Sequence, residues 1–232
     1  MEKNQNNLIL PKPHISWSQL SCWLSNPTRY RKEYFEAGDK LDTKYLRFGK
    51  GIAKVIEALA KNPELKNDAK WVMEMFGMKL DDERVQNFFR DLVIYDSPEF
   101  EIKTDVKGVP CLSYIDNYHS VKNVFREDKT GKIAWTKARV IKHGQLIFYA
   151  TMLKWSGKGI PEYCDLDWIE TKESVKEVED FWREAEKKLD ITGRIVSFHR
   201  EFDEREIEKM EELIVKVANE ISEAYQAFLK EI

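Results

Sequence analysis

The spacing of apolar positions changes along the chain, and the changes divide it into elements. Leu20, Trp23 and Leu24 recur at helical spacing behind Ser16, and Ser16 with Gln19 has the spacing of a capping box. A short helix therefore opens at Ser16 and is broken at Asn26-Pro27, and Thr28–Phe35 reads as a second helical piece rich in arginine and aromatics. Leu46, Val55, Ile56 and Leu59 predict a helix over Thr43–Lys61, ended by Asn62-Pro63. Asn67–Phe76 and Asp81–Val93 follow as helices, each opening near an Asn or Asp cap. The period then shortens. Glu99–Val106, Val109–Tyr118 and Val121–Lys129 have strand-like composition, with turn signals at Lys107-Gly108 and near His119-Ser120, and predict a three-stranded antiparallel meander. Lys137–Trp155 returns to helical spacing, Tyr163–Thr171 predicts a strand, and Ser174–Leu189 a charged helix. A long helix is expected over Asp203–Lys230, where Ile207, Met210, Leu213, Ile214, Val217 and Ile221 share one face.

Residues 1–15 read as an arm, since Pro11 and Pro13 prevent a helix start before Ser16. Residues 16–232 show no repeat, linker or low-complexity tract and are expected to form one domain. The element order predicts an α/β fold, with a small central mixed sheet containing the meander and flanked by helices.

Composition narrows the function only a little. The chain has 232 residues, 42% hydrophobic and 34% charged, which suits one globular core. The longest apolar stretches, such as Gln145–Leu153, are too short to cross a bilayer, and the N-terminal residues carry no signal-like run. A cytoplasmic protein without membrane association is expected. Cys22, Cys111 and Cys164 lie far apart and read as small buried hydrophobes in a reducing compartment. The net charge of −3 excludes a protein that coats nucleic acid through overall basicity, so any contact with it must rest on local positive charge. His14, His119, His143 and His199 are scattered, and neither H-E-x-x-H, a nucleophile signature nor G-x-x-x-x-G-K-[S/T] is present.

The window Cys111–Ala150 carries the chemistry. Asp116 ends one predicted strand, while Glu127 and Lys129 end the next, two residues apart and so on one face of the sheet. A hairpin brings Asp116 toward that pair. Two carboxylates converging at the end of a sheet suit Mg²⁺, which takes a few carboxylates and keeps waters and phosphate oxygens. Beside them, Lys129 adds positive charge for a phosphoryl transition state. A Glu-Asp-Lys triplet is common by chance in so charged a chain and is more often solvated surface, so its context decides.

That context is Thr130-Gly131-Lys132 immediately after the triplet, then a helix with Gln145 and Tyr149 one turn apart. The order D…(D/E)-x-K-T…Q-x-x-x-Y resembles the RecB-like branch of the PD-(D/E)xK nuclease superfamily, including phage recombination exonucleases, where a tryptophan and a basic helix stand as Trp135 and Lys137 do. Ser16-Trp17-Ser18-Gln19-Leu20 followed by Asn26-Pro27-Thr28-Arg29-Tyr30 is similar to the opening of that branch, and the resemblance runs from Ser16 to about Tyr149. It implies a restriction-endonuclease-like core and a metal-dependent deoxyribonuclease, most naturally an exonuclease. Asp116, Glu127 and Lys129 would be catalytic, with Mg²⁺ or Mn²⁺ on Asp116 and Glu127 or Asp128. Gln145, Tyr149, Gln19, Arg29 and Tyr30 would lie along the DNA. DNA is the implied partner, and any recombination or helicase protein would be a separate chain.

The chain also departs from this pattern. Asn26 stands where many relatives have cysteine and there is no C-terminal cysteine cluster, so no iron–sulfur cluster is expected. Ala53 stands where relatives carry a histidine four residues after glycine, and Ser113 where a glycine often precedes the aspartate. The spacing to Lys129 favours Glu127 over Asp128 as the metal-facing residue, and Glu99 or Glu101 remains open as a further ligand. Two other readings stand beside the nuclease: a DNA- or partner-binding module impaired by Ala53, and a helical scaffold assembling through the C-terminal helix.

Overall fold

A computed structural model describes residues 8–39, 42–175 and 187–232. Helix α1 (Trp17–Ser25) is capped by Ser16, whose side chain accepts from the Gln19 amide. Asn26 ends it and caps α2 (Pro27–Tyr30), which runs on as a π-helical turn over Arg31–Phe35. Thr43, Asp68 and Asp82 cap α3 (Lys44–Lys61), α4 (Ala69–Phe76) and α5 (Glu83–Asp91), so each of these helices starts where a side-chain oxygen satisfies its first free amides.

The sheet has five strands in spatial order β1 (Ser97–Val106), β2 (Val109–His119), β3 (Val124–Gly131), β4 (Tyr163–Val175) and β5 (Lys187–Glu201). The first three form the expected antiparallel meander. Lys107 and Gly108, with φ of 50° and 86°, make the tight turn between β1 and β2, the left-handed pair a two-residue hairpin requires. Strand β4 lies parallel to β3, reached by the crossover through α6 (Lys137–Ile141) and α7 (Gly144–Leu153), and β5 returns antiparallel. The last helix, α8 (Glu204–Glu231), opens with a capping box between Asp203 and Glu206. The fold is therefore mixed α/β, as expected.

Two apolar layers cover the sheet. One joins α1, α7 and α8 to Ile102, Ile115, Phe125 and Leu166, and the other joins α3, α4 and α5 to Ile169 and Ile191. Cys111 and Cys164 are buried in the first layer.

Four expectations need correction. The helix expected over Lys137–Trp155 is two, because the backbone leaves the helical region at His143 and restarts at Gly144. There the Trp17 ring lies so close that a Cβ on Gly144 would be 2.2 Å from it. Strand β3 begins at Val124 rather than Val121, since Asn123 turns the chain with φ of 50°. The charged helix expected over Ser174–Leu189 is contradicted at both ends, which belong to β4 and β5, and its middle lies outside the described residues. Ile15, assigned to the arm, is fully buried and bridges Cys111 on β2, its amide donating to Pro110 O at 2.8 Å.

Candidate active site

The site forms where two strands part. Strands β2 and β3 pair only from Asn117–Arg126 to His119–Val124. Beyond Asn117, β2 stays with β1, while β3 runs on beside β4 with Glu127 opposite Leu166 and Lys129 opposite Trp168. Asp116 sits at the fork. Its Oδ2 accepts from the Asp128 amide at 2.8 Å, so a side chain takes the place a ladder carbonyl would have.

Glu127 and Lys129 project from one side of β3. The Lys129 ammonium donates to Glu127 Oε1 and, at 3.0 Å, to Gln145 Oε1 on α7. The Gln145 amide donates in turn to the Tyr149 hydroxyl at 2.6 Å, one helical turn further on. Asp128 lies on the opposite side of the strand, where its Oδ2 accepts from Asn117 Nδ2 at 3.1 Å. On that side Arg126 makes a two-nitrogen contact with buried Asp167, both bonds 2.7 Å long.

A cavity of about 470 Å³ opens onto this group, bounded by α3 through Gly49 and Ala53 and by Glu99, Asp116, Glu127, Lys129 and Gln145. Helix α3 comes so near that a Cβ on Gly49 would stand 3.3 Å from Thr130 Oγ1. Glu99 interrupts the β1–β2 ladder opposite Asp116 with φ of 48°, a conformation uncommon outside glycine. Glu101, the other open ligand, instead accepts from the Tyr114 hydroxyl at 2.7 Å.

The electrostatics follow from burial. Glu127 is 1% exposed, and desolvation together with the Asp116 charge pushes its carboxyl up to about 8. Asp116 is also raised by burial, against the pull of Lys129 and the Asp128 amide. The two acids act on each other, the Asp116 charge adding to the rise at Glu127. Burial works against the Lys129 ammonium, but Glu127 and Asp116 outweigh it and hold Lys129 above its ordinary value. Desolvation, with Glu127 and Asp116 next, raises Tyr149, which stays a neutral phenol.

The donor set fits a hard divalent cation. Glu127 Oε2 is buried without a hydrogen-bond donor, beside a second carboxyl. Among the described residues no three His, Cys, Asp or Glu side chains are gathered into a metal-holding group. A cation here would complete its shell with water or substrate oxygen, as Mg²⁺ commonly does.

Sequence reasoning had also placed Gln19, Arg29 and Tyr30 beside the substrate, and the structure does not bring them to this cavity. Tyr30 is fully buried, stacked on Tyr34 at 4.5 Å between centroids, and its hydroxyl donates to Gln19 Oε1 at 3.1 Å. With Gln19 buried as well, that pair holds α1 to α2 rather than facing a ligand. Arg29 is exposed and paired with Glu33. Tyr45 and Thr130, which also line the cavity, were missed. An exposed tyrosine at a helix start carries no sequence signal of its own.

No protein-family model matches the sequence, and no curated protein matches it. Among solved structures the chain is similar to a candidate exonuclease from Eubacterium rectale, at 12% identity and a TM-score of 0.49, covering 95% of this chain and 87% of that one. It is similar also to a phage-related exonuclease from Haemophilus somnus 129PT, at 12% identity and a TM-score of 0.45, covering 87% and 79%. No helix among the described residues is long and apolar enough to cross a membrane.

Proposed function

We propose that this chain is a metal-dependent deoxyribonuclease of the PD-(D/E)xK kind. One observation carries the reading: Asp116 and Glu127 converge with the Lys129 ammonium at the floor of an open cavity, Glu127 almost fully buried with one oxygen unpartnered, Asp116 and Lys129 partly buried. A buried acid with one oxygen left without a donor is costly to a fold that has no use for it, and Glu127 is such an acid.

Asp116 and Glu127 would hold Mg²⁺ or Mn²⁺, and Glu99 is placed to approach from β1. Glu127 is assigned in preference to Asp128 because it shares the side of the strand with Lys129, whereas Asp128 lies on the other side, where one of its oxygens accepts from Asn117. When bound, the ion supplies a Lewis acid for a phosphate oxygen and an acidified water. Lys129 is oriented by Gln145, and Gln145 by Tyr149, so its charge stands fixed where negative charge grows in the transition state. DNA as substrate rests on the sequence resemblance.

The test is release of label from end-labelled DNA with Mg²⁺, Mn²⁺ or EDTA. Metal-dependent cleavage is expected, and Lys129→Ala should lose on the order of 10²–10³ in rate while keeping its circular dichroism. Wild-type cleavage by that variant would contradict the reading. A second reading, a module that binds DNA without cutting it, is favoured by Ala53, which brings no ligand to the cavity wall on α3. DNA binding without cleavage in either metal would select it.

A further inference from the structure

A second cavity, of about 460 Å³, adjoins the first and shares Tyr45, Lys129 and Thr130 with it, while Lys132, Trp135 and Arg139 complete its wall. Two of its lining residues, Tyr45 and Lys132, also meet Lys44 on one carboxylate outside the lining. Lys44 Nζ and the Tyr45 hydroxyl donate to Glu173 Oε1 at 2.7 and 2.9 Å, and Lys132 Nζ lies 2.9 Å from Oε2. The donors come from the start of α3 and the end of β3, and the acceptor from β4, three elements joined by one anion. Both ammonium groups also lie near the Tyr45 ring, at 5.3 and 5.9 Å from its centroid. That ring is 48% exposed and lines both cavities. Across the second cavity the Arg139 guanidinium rests on Trp135, 3.8 Å from the ring centroid.

We propose that this cavity holds the nucleotide flanking the scissile phosphate of a single DNA strand, and that Glu173 occupies the place of the flanking phosphate. The inference rests on the nuclease reading for its scissile phosphate. Two ammonium groups and a phenol converging on a carboxylate suit a phosphate oxygen equally well. Their partly exposed ion pairs are weak enough for a phosphate to displace. Tyr45 and the Arg139 plane offer stacking surfaces for bases, the usual combination of cation and π-face in single-strand sites. Glu173 then acts as an internal competitor that keeps the groove closed to weaker anions.

The experiment measures binding of a short fluorescein-labelled single-stranded DNA by anisotropy, in EDTA, across a salt series. Removing the competing charge with Glu173→Gln should tighten binding by up to about fivefold, the upper worth of a partly exposed ion pair. Lys132→Gln should weaken it by a similar factor and lower the salt slope by about 0.7. Tyr45→Ala should lose about tenfold, while Tyr45→Phe, which keeps the ring and gives up only the hydroxyl, should lose less. Unchanged or weaker binding by a folded Glu173→Gln overturns the proposal. If that variant melts far below the parent, Lys132→Gln and the Tyr45 pair decide, and parent-like binding by Lys132→Gln and Tyr45→Ala overturns it. Metal-dependent cleavage together with these failures removes this inference and leaves the nuclease reading. The expected binding pattern without cleavage in any metal does the reverse.

Discussion

Glu127 places one oxygen on Lys129 and leaves the other without a donor, and that asymmetry predicts how stability depends on pH. Its carboxyl is raised from the ordinary range to about 8 by burial and the Asp116 charge, so the folded chain holds a proton that the unfolded chain gives up at lower pH. The associated stability is complete below the ordinary carboxyl range and is lost as pH rises through about 8. In EDTA, the thermal midpoint of the protein should therefore fall from about pH 6.5 to about pH 8, above the range in which His143, held low by burial, acts in the opposite sense. Asp116 and Asp128 are raised in the same direction as Glu127. Glu127→Gln, which cannot ionise, should remove the Glu127 share of that decline and leave the share of Asp116 and Asp128, and Mn²⁺ should offset it by binding the ionised pair. A midpoint that rises over this window, measured by differential scanning fluorimetry, would contradict a buried Glu127 carboxyl raised by its surroundings.

Ala53 gives a second prediction at this scale. It lines the cavity from α3, so an imidazole there would face the carboxylates. Ala53→His should raise Mn²⁺-supported cleavage more than Mg²⁺-supported cleavage, because imidazole suits the softer ion. An equal effect on both ions, or none, would remove Ala53 from the ion's surroundings. Much of the residue-level picture was legible. The two-residue step from Glu127 to Lys129 and the four-residue step from Gln145 to Tyr149 are periodicities, and periodicity survives folding. Burial is not written in spacing. Gln19 and Tyr30 matched a motif yet satisfy each other inside the core, which only three-dimensional packing decides.

At the scale of elements, caps and turns were the most readable features. Thr43, Asp203 and the Lys107-Gly108 turn sit where local chemistry puts them. Strand β5 was missed because it is an edge strand whose charged residues, including Arg194, His199 and Arg200, break the apolar alternation. The break between α6 and α7 was missed because its cause is distant: Trp17 fills the space over Gly144. Gly144→Ala should consequently cost about 1–3 kcal/mol in urea denaturation, as overpacking does. It should also depress cleavage by displacing the helix that carries Gln145. An unchanged midpoint would mean that α1 and α7 are less tightly apposed than the structure has them.

For the whole molecule, the decisive feature is the fork. Strand β2 leaves β3 after Asn117 to follow β1, Ile15 bridges the edge thus freed at Cys111, and Asp116 is left at the opening facing Glu127. The meander was legible in the sequence, but the point where its strands part was not, because register beyond a hairpin depends on what covers each edge. The fork gives a net-negative chain a partly buried positive charge at the cavity floor, with more lysines at its rim. The most direct test is diffraction from crystals soaked in Mn²⁺, recorded near the manganese absorption edge. An anomalous peak bound by Asp116 and Glu127 at about 2.0–2.6 Å, with the Lys129 ammonium nearby, is the predicted result. A fully occupied ion elsewhere, with none at the Asp116–Glu127 pair, would contradict the account.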